Sequence, residues 1–301
     1  MASDKLPIIE ILFQQLAGQL SQSGSTATVT FRDISQAISA FNSSLPAGTP
    51  PMTPPNVPNF FKDFVRSFHA ANADWQTTTA WSRGYTAEQA VGNGECFRFI
   101  PVASGQSKPF PKIAPVVYGM KRNEVETLSI PKAFRVMSRF DEMRLTQIAV
   151  EIRLVESFLA LFSSHHFTEI EHLQMGVKGG PAEIDALYFG MIDIGGTERG
   201  VVVTLEAKLK DDILEGQILR QALHGLQLIS AAYYALPLAI KAVKAADLGI
   251  RRKRGVSAPS IVEIVEFDLI ARPSSGVTPV LGYLRHDLFE LKPFVPGISK
   301  Y

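Results

Sequence analysis

The run VVVTLEAKLKDD, residues 201–212, places Glu206 and Lys208 two residues apart in a segment that begins like a buried strand. Side chains alternate faces along a strand, so Thr204, Glu206 and Lys208 share one face and Leu205, Ala207 and Leu209 the other. Upstream, AEIDALYFGMI carries Glu183 and Asp185, again on a common face. Between the two lies IDIGGTERG, and a Gly-Gly pair favours a two-residue hairpin turn. With Gly195 and Gly196 as the loop, Asp185 falls opposite Glu206 and Glu183 opposite Lys208. A loop two residues longer puts Asp185 opposite Lys208 and keeps the cluster, whereas a slip of one residue destroys it.

Carboxylates at cross-strand distance repel, and Lys208 supplies a single compensating charge. A divalent cation resolves the conflict, because hard oxygen ligands from Asp185 and Glu206 suit Mg²⁺ with waters completing its octahedron. Such a cation would help activate a water and shield a phosphodiester as its bond breaks. Lys208 would orient that water or help deprotonate it. The bland alternative is a pair of strand faces surfacing into solvent.

The elements that must position these residues are legible in outline. Residues 141–162 form one amphipathic helix in this reading, with Leu145, Ile148, Ala149, Ile152, Val155, Leu159 and Phe162 on a stripe. Strands follow at FTEIEHLQM, AEIDALYFGMI and VVVTLEAKL, then a long helix from about Ile213 that Asp211 or Asp212 could cap. The apolar run 226–243 reads as a buried helix broken at Pro237, and SIVEIVEFDLIA and PVLGYLRHDLFEL return to strand. This order makes an α/β protein with a mixed sheet. Nearer the start, residues 5–20 have helical spacing and Asp33 could cap a second helix. Residues 45–59 are a proline-rich loop or connector, FFKDFVRSFHAA a helix, and CFRFIPV and IAPVVYGM short strands.

The segments PAEIDALYFG, VVVTLEAKLK and DDILEGQILRQ resemble the PD-(D/E)XK nuclease superfamily, over roughly residues 140–235. The resemblance implies a restriction-endonuclease-like core: a central mixed sheet flanked by helices, at residues 140–301. Residues 1–139, which the resemblance does not reach, would by elimination be a mixed N-terminal region for DNA recognition or dimerisation. The resemblance is residue by residue in the core. It matches Asp185 to the family's first acid, Glu206 and Lys208 to its Glu-x-Lys, and Gln217 to a polar residue on the following helix. The residue before the first acid, often proline in the family, is Ile184 here. A glutamate on the preceding helix often joins such a site, and Glu151 and Glu156 both qualify. The implied metal is Mg²⁺, with Mn²⁺ able to substitute, held by Asp185, Glu206 and the backbone carbonyl of Ala207.

Other features carry less. Gln217, Gln221 and His224 share a helical face, of which Gln221 and His224 read as solvent-facing. His165-His166 ends a helix, where imidazolium would complement the dipole. Arg251, Arg252, Lys253 and Arg254 could contact phosphates. Trp75, Trp81 and Tyr85 could touch a base, although buried structural tryptophans are commoner, and Cys96 reads as a small core residue.

With 301 residues, 46% hydrophobic and 20% charged, the chain can bury a large core. Its net charge of +1 argues against indiscriminate coating of nucleic acid, but not against base-specific reading. A lone cysteine excludes an intrachain disulfide, and the absence of a leader or membrane-spanning run gives a cytoplasmic expectation. The expected function is a Mg²⁺-dependent endonuclease of double-stranded DNA resembling type II restriction enzymes, acting as a twofold homodimer. A repair, transposition or phage-defence nuclease is the nearer alternative, and a non-catalytic nucleic-acid-binding protein the farther one.

Overall fold

The computed structural model describes residues 4–20, 24–53, 56–66, 68–90, 94–111, 121–132, 140–178, 182–250, 258–272, 279 and 281–298. It divides into two compact units, Met1–Lys112 and Ile113–Tyr301. The division falls earlier than the expected 139/140 because a strand at Arg122–Glu126 pairs into the second unit's sheet.

In the first unit, helix α1 (Leu6–Gln15), strand β1 (Ala27–Thr30) and helix α2 (Phe31–Ser44) lead to a short 3₁₀ turn at Val57–Asn59. Helices α3 (Phe60–Arg66), α4 (Phe68–Gln76) and α5 (Thr79–Ser82) precede strands β2 (Tyr85–Gln89) and β3 (Glu95–Pro101). The sheet is antiparallel in the order β1-β3-β2. Thr30 caps α2, and Asp33 completes a capping box from within the first turn instead of capping it. Phe61, Phe64, Trp75, Phe97, Phe99 and Phe110 form the centre of the unit. Trp75 is wholly buried and its indole N–H donates to the Tyr85 carbonyl at 3.1 Å, so these two aromatics are core residues. Trp81 is half-buried, and Cys96 is buried as expected. The strand expected at IAPVVYGM lies outside the described residues.

The second unit contains strand β4 (Arg122–Glu126), helices α6 (Glu142–Glu151) and α7 (Leu154–Leu161), and strands β5 (His166–Val177), β6 (Ile184–Ile194) and β7 (Thr197–Lys208). Helix α8 (Glu215–Leu228) follows, then strands β8 (Tyr234–Val243), β9 (Ser260–Phe267), β10 (Ile270–Ala271) and β11 (Tyr283–Lys292). The sheet runs β4-β11-β9-β8-β7-β6-β5, with β10 alongside β8. It is mixed: β7 and β8 are parallel across the α8 crossover, β4 and β11 are parallel, and the other pairs are antiparallel. The chain is thus α/β, with helices flanking a central mixed sheet.

Three expectations change. The helix over 141–162 is two helices, because Arg153 adopts the left-handed conformation (φ 49°). The break re-aims the apolar stripe, so Leu154 and Phe158 join Leu145, Ile148, Val155 and Leu159 in the core while Ile152 and Phe162 are half-buried. Helix α8 starts after Leu214 with no side-chain cap, so neither Asp211 nor Asp212 caps it. Residues 234–243 are a strand, not a continuation of that helix. β8 lies between β7 and β9 and is covered on both faces, so its residues need no amphipathic pattern. Pro237 sits opposite the interruption between β9, which reaches Leu238 through Glu266, and β10, which resumes at Ala235 through Ile270.

Helix α8 lies close over β7 because Gly225 faces it. A Cβ there would stand 2.8 Å from the Thr204 methyl and 3.3 Å from Val202. Replacing Gly225 with valine should therefore destabilise the protein by about 1–3 kcal/mol, read as a lowered urea midpoint. An unchanged midpoint would mean that the helix does not need this close approach.

Candidate active site

The β6–β7 hairpin turns at Gly195 and Gly196, both at positive φ (63° and 80°), as a tight primed turn requires. Its ladder runs in constant register from Ile194↔Thr197 to Ala186↔Leu205, and one further step along that register brings Asp185 to Glu206. Leu187 and Val202 pack with Ala222 and Leu226 of α8, so the Asp185–Glu206 face is the one that α8 covers. The opposite face, with Ala186, Tyr188, Val203 and Leu205, packs with α6 and α7.

At the open end of these strands the polar groups converge. The Asp185 carboxylate accepts from the Ala207 backbone N–H at 2.8 Å. Glu206, only 2% exposed, pairs with the Lys208 ammonium. It also accepts from the Gln217 amide at 2.5 Å and from the Gln221 amide. Gln221 in addition donates to the Glu183 carbonyl at 2.7 Å. Lys208 lies 3.8 Å from Glu142, the first residue of α6. Asp141 caps that helix, accepting from the Arg144 N–H at 3.0 Å, and so places Glu142 at the sheet's end.

The electrostatics follow from burial and from an excess of carboxylates. Burial first, then Glu206, pushes the Asp185 carboxyl up to about 7, with Glu142 adding to it. The Ala207 N–H and Lys208 pull the other way. For Lys208 burial opposes the charge, but Glu206, Glu142 and Asp185 together outweigh it and raise its affinity for the proton. Lys208 is therefore held as an ammonium, suited to orienting a water or an anion and not to taking a proton.

The sequence-derived residues divide accordingly. Asp185, Glu206, Lys208 and Gln217 come together. Gln221 and His224, expected to face solvent, are buried at 1% and 5% exposure, because α8 turns this polar face onto the sheet. Glu183 leaves the cluster, with an exposed side chain 3.2 Å from Lys178. Glu151 is exposed at the far end of α6, ~14 Å of helical rise from Glu142. Glu156 lies under α7 on the other face of the sheet, where its carboxyl is raised by burial and its charge bears on Tyr188. The helix glutamate at the cluster is thus Glu142. Its signal in the sequence was the acid directly after a capping aspartate, at the helix end nearest the strand termini. His165 and His166 do not end the helix, which stops at Leu161, and His166 begins β5; burial lowers the His165 pKa. Arg251, Arg252, Lys253 and Arg254 lie outside the described residues.

Could the cluster hold a metal? The ligating groups described there are carboxylates, with no sulfur or imidazole among them, which is the kind of oxygen a hard cation takes. Among the described residues no three His, Cys, Asp or Glu side chains converge to hold an ion by themselves. Mg²⁺, which keeps several waters and needs only one or two carboxylates, fits such a site. The raised Asp185 carboxyl marks uncompensated negative charge that a divalent cation would relieve. Asp185 and Glu206 could hold it, with the Ala207 carbonyl as the further ligand that the resemblance implies. Among the described residues no helix is long and apolar enough to cross a membrane. Comparison with protein-family models, curated proteins and solved structures finds no match to the chain.

Because folding raises the Asp185 pKa, the folded chain keeps a proton there that the unfolded chain has released between about pH 4 and the folded value of about 7. Stability from this group is therefore lost as pH rises through that window. In EDTA, wild type should lose on the order of a few kcal/mol relative to Asp185→Asn between about pH 5 and about pH 8, measured by urea unfolding. Mg²⁺ should restore it at the higher pH. Parallel pH profiles for the two proteins would show that the carboxyl is not strained.

Proposed function

We propose that the protein is a Mg²⁺-dependent endonuclease that hydrolyses phosphodiester bonds of double-stranded DNA. One observation carries the reading: Asp185 and Glu206 meet on one sheet face, at the open end of adjacent strands, with the Lys208 ammonium on Glu206. Two helices, three antiparallel strands, a crossover helix and a parallel strand carry this cluster, and the resemblance of its residues to the PD-(D/E)XK motif supports the reading.

When bound, Mg²⁺ would supply the positive charge that an anionic ester and its attacking water require. The chain's own residues do the rest. Gln217 and Gln221 fix the Glu206 carboxylate by hydrogen bonds from α8, leaving it lone pairs for a further ligand. The Ala207 N–H holds Asp185 in the same way. Lys208, kept protonated by Glu206 and Glu142, would orient the attacking water beside the phosphate and balance charge developing there. Cleavage of both strands of a duplex requires two such sites, so the working form in this reading is a twofold homodimer. In this reading it would act as type II restriction enzymes do, in the cytoplasm and on a palindromic target.

Incubation with plasmid DNA and Mg²⁺ should give discrete fragments, and EDTA should abolish them. Lys208→Ala and Glu206→Gln should each slow cleavage roughly hundredfold or more. If Lys208→Ala cut as fast as wild type, the assignment would be wrong. A smear in place of bands would favour a repair or defence nuclease of loose specificity. No cleavage at all, with DNA still bound, would leave a binding protein. Among the helix glutamates, Glu142→Gln should slow the reaction about tenfold or more, while Glu151→Gln and Glu156→Gln should not. The reverse pattern would restore the glutamates first expected.

A further inference from the structure

Lys241 is the single charged residue of β8, set between Ala239 and Val243 in an otherwise apolar strand. The parallel register pairs it directly with Lys208, and the antiparallel register on its other side pairs it with Glu263. Paired residues share a face, so Lys241 stands one strand beyond Lys208 on the face that carries Asp185 and Glu206, ~4.8 Å away in the pairing direction. Two ammoniums placed side by side repel and would be cheaper as apolar residues in a strand this well covered. Here each has its own carboxylates. Lys208 is held by Glu206 and Glu142, and Lys241 lies 3.3 Å from Asp212 in the segment between β7 and α8. Glu263, on the other side, is taken up by the His286 imidazole. The two lysines also differ in reach: the Lys241 side chain is 24% exposed and that of Lys208 10%.

We propose that Lys241 is a second phosphate-binding position, which holds the phosphate adjoining the one presented to the Asp185–Glu206–Lys208 cluster on the same nucleic-acid strand. The inference rests on the nuclease reading and narrows it, since a substrate with neighbouring phosphates is a polynucleotide and not a small diester. In the DNA-free protein the Asp212 carboxylate occupies the position that phosphate oxygens take, and the bound strand displaces it. Because the contact is made to a phosphate, it strengthens binding without reading sequence.

The test measures binding of a short synthetic DNA duplex in EDTA over a salt series, for wild type, Lys241→Gln, Lys241→Met and Lys241→Arg. The first two variants should bind roughly tenfold more weakly, the loss of one charge-assisted hydrogen bond. Their slope of log affinity against log salt should flatten by about one unit. Lys241→Arg should keep the wild-type slope. An unchanged slope in Lys241→Gln overturns the proposal, as does a loss that arginine leaves unrestored. Because EDTA removes any need for turnover, the outcome is separate from the nuclease reading. If wild type binds the duplex and Mg²⁺ produces no cleavage, that reading falls while the phosphate position stands.

Discussion

The candidate site depends on the register of one hairpin. Gly195 and Gly196 turn the chain in two residues, and the strands on either side then pair without a slip as far as Ala186↔Leu205. Parity does the rest, since a period of two means that every other residue beyond the turn points to the same side. One residue more in the loop would send Asp185 to the α8 face and Glu206 to the α6–α7 face, or the reverse. The two acids would then lie on opposite faces of the sheet and could share no cation.

Placing acids together is costly, and the surroundings show how the cost is met. Glu206 is almost wholly buried and takes donors on both oxygens, from Gln217, Gln221 and Lys208. Asp185 has one backbone donor and so carries the remaining conflict, seen as a carboxyl raised to about 7. Helix α8 can deliver two amides to one carboxylate because Gln217 and Gln221 are a turn apart and Gly225 lets the helix sit against Thr204 and Val202. The close packing and the polar network are therefore one arrangement.

Legibility followed how local the signal was. Strands β5, β6 and β7 could be read because their turns and alternation are local, and the hairpin register came from a Gly-Gly pair. β8 could not: an apolar run containing proline fits a buried helix as well as a central strand, and the break between β9 and β10 that accommodates Pro237 is made elsewhere in the chain. The break at Arg153 carries no proline or glycine to announce it. Gln221 and His224 look like solvent-facing polar residues until the helix is laid on the sheet. Glu142 is not legible in this way because its relevance comes from where a helix begins relative to the sheet's edge, nor is Lys241, whose neighbours lie on strands far away in sequence.

By itself, the sequence determined the acid–turn–Glu-x-Lys hairpin, because strand periodicity and turn chemistry act between neighbouring residues and leave few registers open. The tertiary structure alone decided which helix glutamate reaches the cluster, which polar face of α8 is buried, and that Lys241 stands beside Lys208. Those choices are set by packing between segments distant along the chain, where a few side chains of ordinary type become significant only once the sheet order has brought them together.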